Sequence, residues 1–279
     1  MCHPHPEIER FFQRAGALPA MPEVARRLLA CFGDPGVSLH QLLALIARDA
    51  GLAARLLRLA NTARFSPRQR VTRLDVAATM IGFDALRGLA LGACLANAFP
   101  HPPGFDRLRF WCQNLATAGR ARHLATWLHG DADTAEIAGL MLRSGELLML
   151  QIEPGLTTLV EEMAGQPDSV FEVERLNFGC THAEVSAELA VRWRFPAPVV
   201  DALFTAADPL DAEPFAPTGA IVRLASLMAD AGCDGLDPLD AMATHQPALV
   251  ARLGMDLDAL RRQLPSHDGL VSGVAELLA

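Results

Sequence analysis

An all-α fold is predicted by three features of the sequence. Leu and Ala dominate, while the aromatic fraction is 6% and Tyr is absent. Those two residues favour helix, and the aromatic and β-branched residues that strands prefer are thin. Apolar residues recur at the helical period, and helix-start signals recur with short connections between them. Length and composition suit an ordinary globular chain, at 279 residues, 51% hydrophobic and 20% charged.

The elements follow in order. Residues 1–10 read as a tail; His3 and His5 beside Cys2 could form a metal-binding tail, but a frayed terminus is preferred. Pro22 suits the first turn of a helix through Val24, Leu28 and Leu29. Ser38 with Gln41 forms a capping box for Leu42, Leu45 and Ile46. Asp49 caps a helix carrying Leu52, Leu56 and Leu59. Thr72 with Asp75 opens the next, Gly82 closes it, and Asp84 caps a Leu/Ala-rich helix. The Pro102-Pro103 pair forces an extended break. Further helices are predicted over residues 110–128, 134–152 and 156–164, then from capping boxes at Ser169/Glu172 and Thr181/Glu184. Pro196 and Pro198 separate the last of these from a helix over 199–207, and four helical patterns lie beyond residue 218.

Composition also excludes. A net charge of −8 disfavours nucleic acid as the main partner. All 24 basic residues are Arg, a bias compatible with a GC-rich genome and given no functional weight. Six scattered cysteines with no CxxC pair read as reduced thiols of a cytoplasmic protein. The first ten residues lack the apolar run of a signal peptide, and residues 85–99 are too short and too polar to span a bilayer. No membrane partner is expected.

Arg48, Arg55, Arg58, Arg64, Arg68, Arg70 and Arg73 crowd one segment, 48–73. Arg55 and Arg58 share a helix face, and two short helices around Gly51 are similar to a helix-turn-helix. DNA binding through this segment is one reading. A solvated, salt-bridged face or a protein-partner surface is favoured over it, given the acidic background. His123 and His129, six apart, make a poor metal pair.

Specific strings carry a family resemblance. Residues 18–25 (LPAMPEVA), 46–61 (IARDAGLAARLLRLAN), 71–74 (VTRL) and 81–87 (IGFDALR) resemble successive blocks of HDOD domains. Phe110-Trp111 and residues 182–185 (HAEV) follow in order. The resemblance implies an N-terminal helical bundle packed on a degenerate subdomain like that of HD-type phosphohydrolases. It sets expected boundaries at 11–103 for the bundle, 104–210 for the HD-like part and 211–279 for a C-terminal helical extension whose role is open.

Active HD relatives hold divalent metal with a His, a His-Asp pair and further His or Asp residues. Alignment by eye puts the first His at Gln113, the pair at Leu142-Arg143 and a later His pair at Ala206-Ala207. Leu offers no lone pair, and Arg is a permanent cation. Of the plausible ligands His182 remains, with a structural role at a helix start preferred. No catalytic residue, metal ligand or cofactor is therefore expected. The resemblance implies a regulatory signalling module with protein partners, and it leaves homo-oligomers and a second-messenger link open. A metal-dependent phosphohydrolase is the alternative from another class. Arg55, Arg58, Asn61, Arg64 and His182 are the candidate partner-binding or family-motif positions. A structural role is preferred for Asn61, closing a helix, and for Arg64, bridging to a carboxylate.

Overall fold

A computed structural model describes residues 5–14, 20–32, 36–62, 65, 70–99 and 105–278. Among the described residues there are nineteen helices and no strand, as composition predicted. Helix α1 (Pro6–Arg14) occupies part of the expected tail, because Ile8, Phe11 and Phe12 give it a buried face. In α2 (Glu23–Leu29), Pro22 stands at the N-cap. The Ser38/Gln41 capping box opens α3 (Leu39–Ile46), and the Asp49 carboxylate accepts the Leu52 N–H at 2.9 Å to open α4 (Ala50–Ala60).

Two expected caps give way to backbone geometry. Arg73, not Thr72, occupies the N-cap of α5 (Leu74–Ile81), with no side-chain cap bond. Gly82, at φ +88°, ends α5 and begins α6 (Phe83–Ala96) in one residue. That positive φ suits Gly, and it leaves Asp84 in the first turn of α6 instead of capping it. The bend between the two helices is 111°. No single helix among the described residues is long and apolar enough to cross a membrane.

Helix α7 (Arg107–Trp127) is followed by a larger departure. The helix expected over 134–152 is two, α8 (Ala132–Met141) and α9 (Ser144–Ile152), broken at Leu142-Arg143. Then come α10 (Pro154–Met163) and α11 (Val170–Phe178). Ser169 has helical angles and makes no side-chain cap, so the second predicted capping box is absent. The third is present: Thr181 and Glu184 cap each other at α12 (His182–Arg192). The remainder is α13 (Ala197–Ala206), α14 (Pro217–Cys233), α15 (Pro238–His245), α16 (Pro247–Arg252), α17 (Leu257–Arg261), α18 (His267–Val271) and α19 (Val274–Leu278).

The chain divides into two compact units, and α7 passes from one to the other between Leu115 and Ala116. One unit joins Pro19–Leu115 to Asp268–Ala279 and holds twelve Arg against eight acidic residues. Its core is α6, buried from Leu86 to Ala96, with α2, α3, α4, α5 and α19 packed around it. The other joins Met1–Leu18 to Ala116–His267 and holds twelve Arg against twenty-four acidic residues. Its core is α14, almost wholly buried from Gly219 to Ala231, with α8, α13 and α15 against it and α9 and α12 beyond. The division thus falls inside α7, not at residue 103. The expected extension 211–279 is shared, with α14 to α17 in the acidic unit and α19 in the Arg-rich one. Small and branched apolar residues on these faces account for the burial.

Candidate functional site

The break between α8 and α9 organises the centre of the acidic unit. Leu142 is fully buried, and its carbonyl accepts the Ser186 hydroxyl at 2.6 Å. The same Ser186 Oγ accepts the Gly145 N–H at 2.7 Å. One side chain on α12 therefore satisfies backbone groups on both sides of the break. With no Cβ, Gly145 allows the α9 backbone to lie against the start of α12.

Arg143 projects from this break into the unit. Its guanidinium donates to Asp230 Oδ2 at 2.5 Å and Oδ1 at 2.7 Å, and to Ser226 Oγ at 3.0 Å, both on α14. Glu146 Oε2 lies 3.5 Å away. Burial opposes a charge here, but the carboxylates of Asp230 and Glu146 outweigh it and hold the guanidinium protonated above its ordinary range. Burial raises the Glu146 carboxyl above its usual range, against the pull of Arg143. The site's centre is a desolvated ion-pair cluster.

His182 is fully buried at the first turn of α12. Its Nδ1 lies 2.8 Å from Glu174 Oε2, which also accepts the His182 backbone N–H at 2.8 Å. The ring packs on Phe171 at 4.6 Å, and among the described residues Nε2 has no hydrogen-bond partner. The partner at this helix start is thus a carboxylate on α11. Ala206 and Ala207 are buried too, and their carbonyls accept Arg223 NH1 at 3.2 and 2.8 Å. Arg223 is held in turn by Asp168 Oδ1 at 2.6 Å and stacks on Phe171 at 3.4 Å.

The structure brings Leu142, Arg143 and His182 together through α9 and α12. Ala206 and Ala207 lie at the end of α13, and Gln113 lies on the portion of α7 in the other unit. Sequence reasoning missed Glu146, Glu174, Ser186, Arg223 and Asp230. Glu146 was legible as an i, i+3 neighbour of Arg143. The others come from distant helices, and no local spacing marks them. Among the described residues no group of three or more His, Cys, Asp or Glu is arranged to hold a metal.

The Arg-rich segment has different geometry. Arg58 is exposed and reaches the Glu276 carbonyl at 3.5 Å, while Arg55 is half-buried. Arg64 lies outside the described residues. Asn61 has a defined role: its amide donates to the Leu57 carbonyl at 2.7 Å and the Val71 carbonyl at 2.8 Å, and its Oδ1 accepts the Val71 N–H at 2.8 Å. It closes α4 and fastens the chain entering α5. Asn61→Ala should cost about 2 kcal/mol in urea denaturation, since it strands polar groups at Val71. A loss below about 0.5 kcal/mol would show that water replaces the amide.

Comparison with known proteins adds the following. The family model described as HDOD domain matches residues 18–209. A Treponema pallidum (strain Nichols) protein named "Uncharacterized protein" is 28% identical over 195 residues, covering 68% of this chain and 37% of that one. The chain therefore spans little more than a third of that relative's length. A solved Shewanella amazonensis SB2B protein named "Putative phosphohydrolase" matches with a TM-score of 0.75 at 25% identity, over 96% of this chain and 98% of that one. A Marinobacter aquaeolei VT8 structure named "Putative signal transduction protein" gives a TM-score of 0.76 at 24% identity, over 98% of this chain and 64% of that one. The last likeness speaks for the fold alone.

Proposed function

The chain belongs to the HDOD domain family, and from that premise we propose that it is a non-catalytic bacterial signalling module acting through protein contact. The observation that carries this reading is the chemistry at Leu142-Arg143. At the positions aligned with the His-Asp pair of HD phosphohydrolases stand a fully buried hydrocarbon and a buried guanidinium. A divalent ion about 4 Å from that guanidinium would meet roughly 8 kcal/mol of repulsion at an effective dielectric of about 20. Asp230 and Glu146, which could otherwise attract a cation, are already paired with Arg143. Ala206 and Ala207 present only carbonyls, and Arg223 takes these up. The residues present do not fit a divalent metal centre.

The test is direct. The purified protein is expected to carry no stoichiometric Fe, Mn or Zn by elemental analysis. It should not hydrolyse bis(p-nitrophenyl) phosphate with added metal. Bound metal together with turnover abolished by a chelator would overturn this reading in favour of a phosphohydrolase, the activity named for the Shewanella protein.

A further inference from the structure

Helix α19 lies beyond residues 18–209, the span that the family model matches, yet it covers α4 and α6, which lie inside that span. The chain reaches it through α18, which contributes no buried residue. Within α19 the buried residues are Val274 and Leu277, each 1% exposed and three apart on one face. Five residues are too few for a helix to hold its shape in water, so docking is what keeps α19 folded.

Three features define what the face beneath α19 accepts. Gly273 leads into the helix at φ +87°, and a Cβ there would fall inside contact distance of Leu59 Cδ1 on α4. Glycine suits this place twice over, for its backbone angle and for the space it leaves. Val274 and Leu277, one and four places on, supply the apolar contact. At the far end Arg107 donates to the Leu278 carbonyl at 3.1 Å, and Arg58 reaches the Glu276 carbonyl. A helix cannot satisfy its own last carbonyls, and cations at that end also favour its dipole. Arg107 donates as well to the Ala96 carbonyl at 3.4 Å, so one guanidinium joins the ends of α6 and α19.

We propose that α19 is a releasable strap over a docking face on α4 and α6. The partner protein places there a short helix of the same pattern, a Gly followed by apolar residues one and four places later. This rests on the protein-contact reading and adds what the partner must present. The occupant is argued from α19 itself, whose fit shows the shape and polarity that the face takes. Attachment through two side chains and a few carbonyl contacts lets α19 open locally while α6, buried from Leu86 to Ala96, stays folded. Opening uncovers Leu59, Arg58 and Arg107 together, an apolar site with cations placed for a helix C-terminus. A partner helix then competes for the same contacts, and the strap lowers its apparent affinity by the fraction of chains that are open.

The probe is a fluorescein-labelled peptide of residues 268–279, amidated at its C-terminus and titrated with the full chain by fluorescence anisotropy. The unaltered chain should bind it weakly, because its own strap occupies the face. A full-chain variant with Val274→Ser and Leu277→Ser has a weakened strap and should bind the peptide about tenfold more tightly or better. Gly273→Ala in the full chain is a second way to release the strap, with the same expected gain. The same Gly273→Ala change in the peptide should abolish binding. Alanine favours helix, so a non-specific apolar contact would instead be strengthened. In the unaltered chain the Leu277 amide donates to the Gly273 carbonyl at 3.2 Å. It should exchange with deuterium at least about tenfold faster than the amides of α6, a measurement that needs no variant. Unchanged peptide affinity in both release variants, equal binding of the alanine peptide, or Leu277 exchange as slow as that of α6 would overturn the proposal. So would a concentration-dependent dimer of the unaltered chain that the release variants lose, since α19 would then serve a second copy. Any of these with no metal and no turnover sinks the strap alone; metal with turnover sinks the reading beneath it.

Discussion

Asp230→Ala is expected to lower stability by about 3 kcal/mol in urea denaturation, because it leaves the Arg143 guanidinium buried without its main partner. Removing one member of a buried ion pair costs about 3–5 kcal/mol, far more than the net worth of the pair. The lower end applies because the Asp230 side chain is 25% exposed, and water can reach the vacated position. Ser226 and Glu146 remain, but Glu146 lies 3.5 Å away, and a hydroxyl neutralises no charge. Arg143→Met should cost less, since the carboxylate it abandons is partly solvated. The double variant should recover much of the loss seen in Asp230→Ala, because a methionine needs no counter-ion. Additive losses in this cycle would mean that the two side chains do not interact. That result would also remove the electrostatic basis for excluding a cation from the centre.

Gly145→Ala should be at least as damaging, by about 3 kcal/mol or more. A Cβ at Gly145 would fall inside contact distance of the His182 carbonyl oxygen, 2.8 Å from the Ser186 nitrogen and 2.9 Å from Val185 Cβ. Two of those three atoms are backbone in α12, so no rotamer change relieves the clash. Separating the helices would also strain the Ser186 hydroxyl's bonds to Gly145 and Leu142. Gly155→Ala is the control: it sits in α10 with nothing within 4 Å, and should be neutral or stabilising by up to about 1 kcal/mol. Equal thermal midpoints for the two variants would refute the close approach of α9 and α12.

Both positions show where sequence reading stopped. A helix over 134–152 is expected because the segment contains no Pro and its glycines, Gly139 and Gly145, stand singly, although Ser144-Gly145 is a dipeptide common in turns. The break exists because Ser186 compensates the backbone groups it frees, and Ser186 is more than forty residues away in the chain. The same limit applied at Asp84 and Ser169. Each is a legitimate cap residue by type, but a φ of +88° at Gly82 and helical angles at Ser169 took the role elsewhere. Ser38, Asp49 and Thr181 could be assigned correctly because a cap is satisfied within three residues.

The sequence by itself determined the helical class, most helix positions and the membership of the HDOD domain family. The first two depend on intrinsic propensity, periodicity and local hydrogen bonding, whose ranges are a few residues. Only the tertiary structure decided which acid meets each arginine. It gave Asp230 to Arg143 and Asp168 to Arg223 and, among the described residues, gave no acid to Arg48, Arg58 or Arg70. Charge pairing acts through space, and packing around α14 and α6 chose the neighbours.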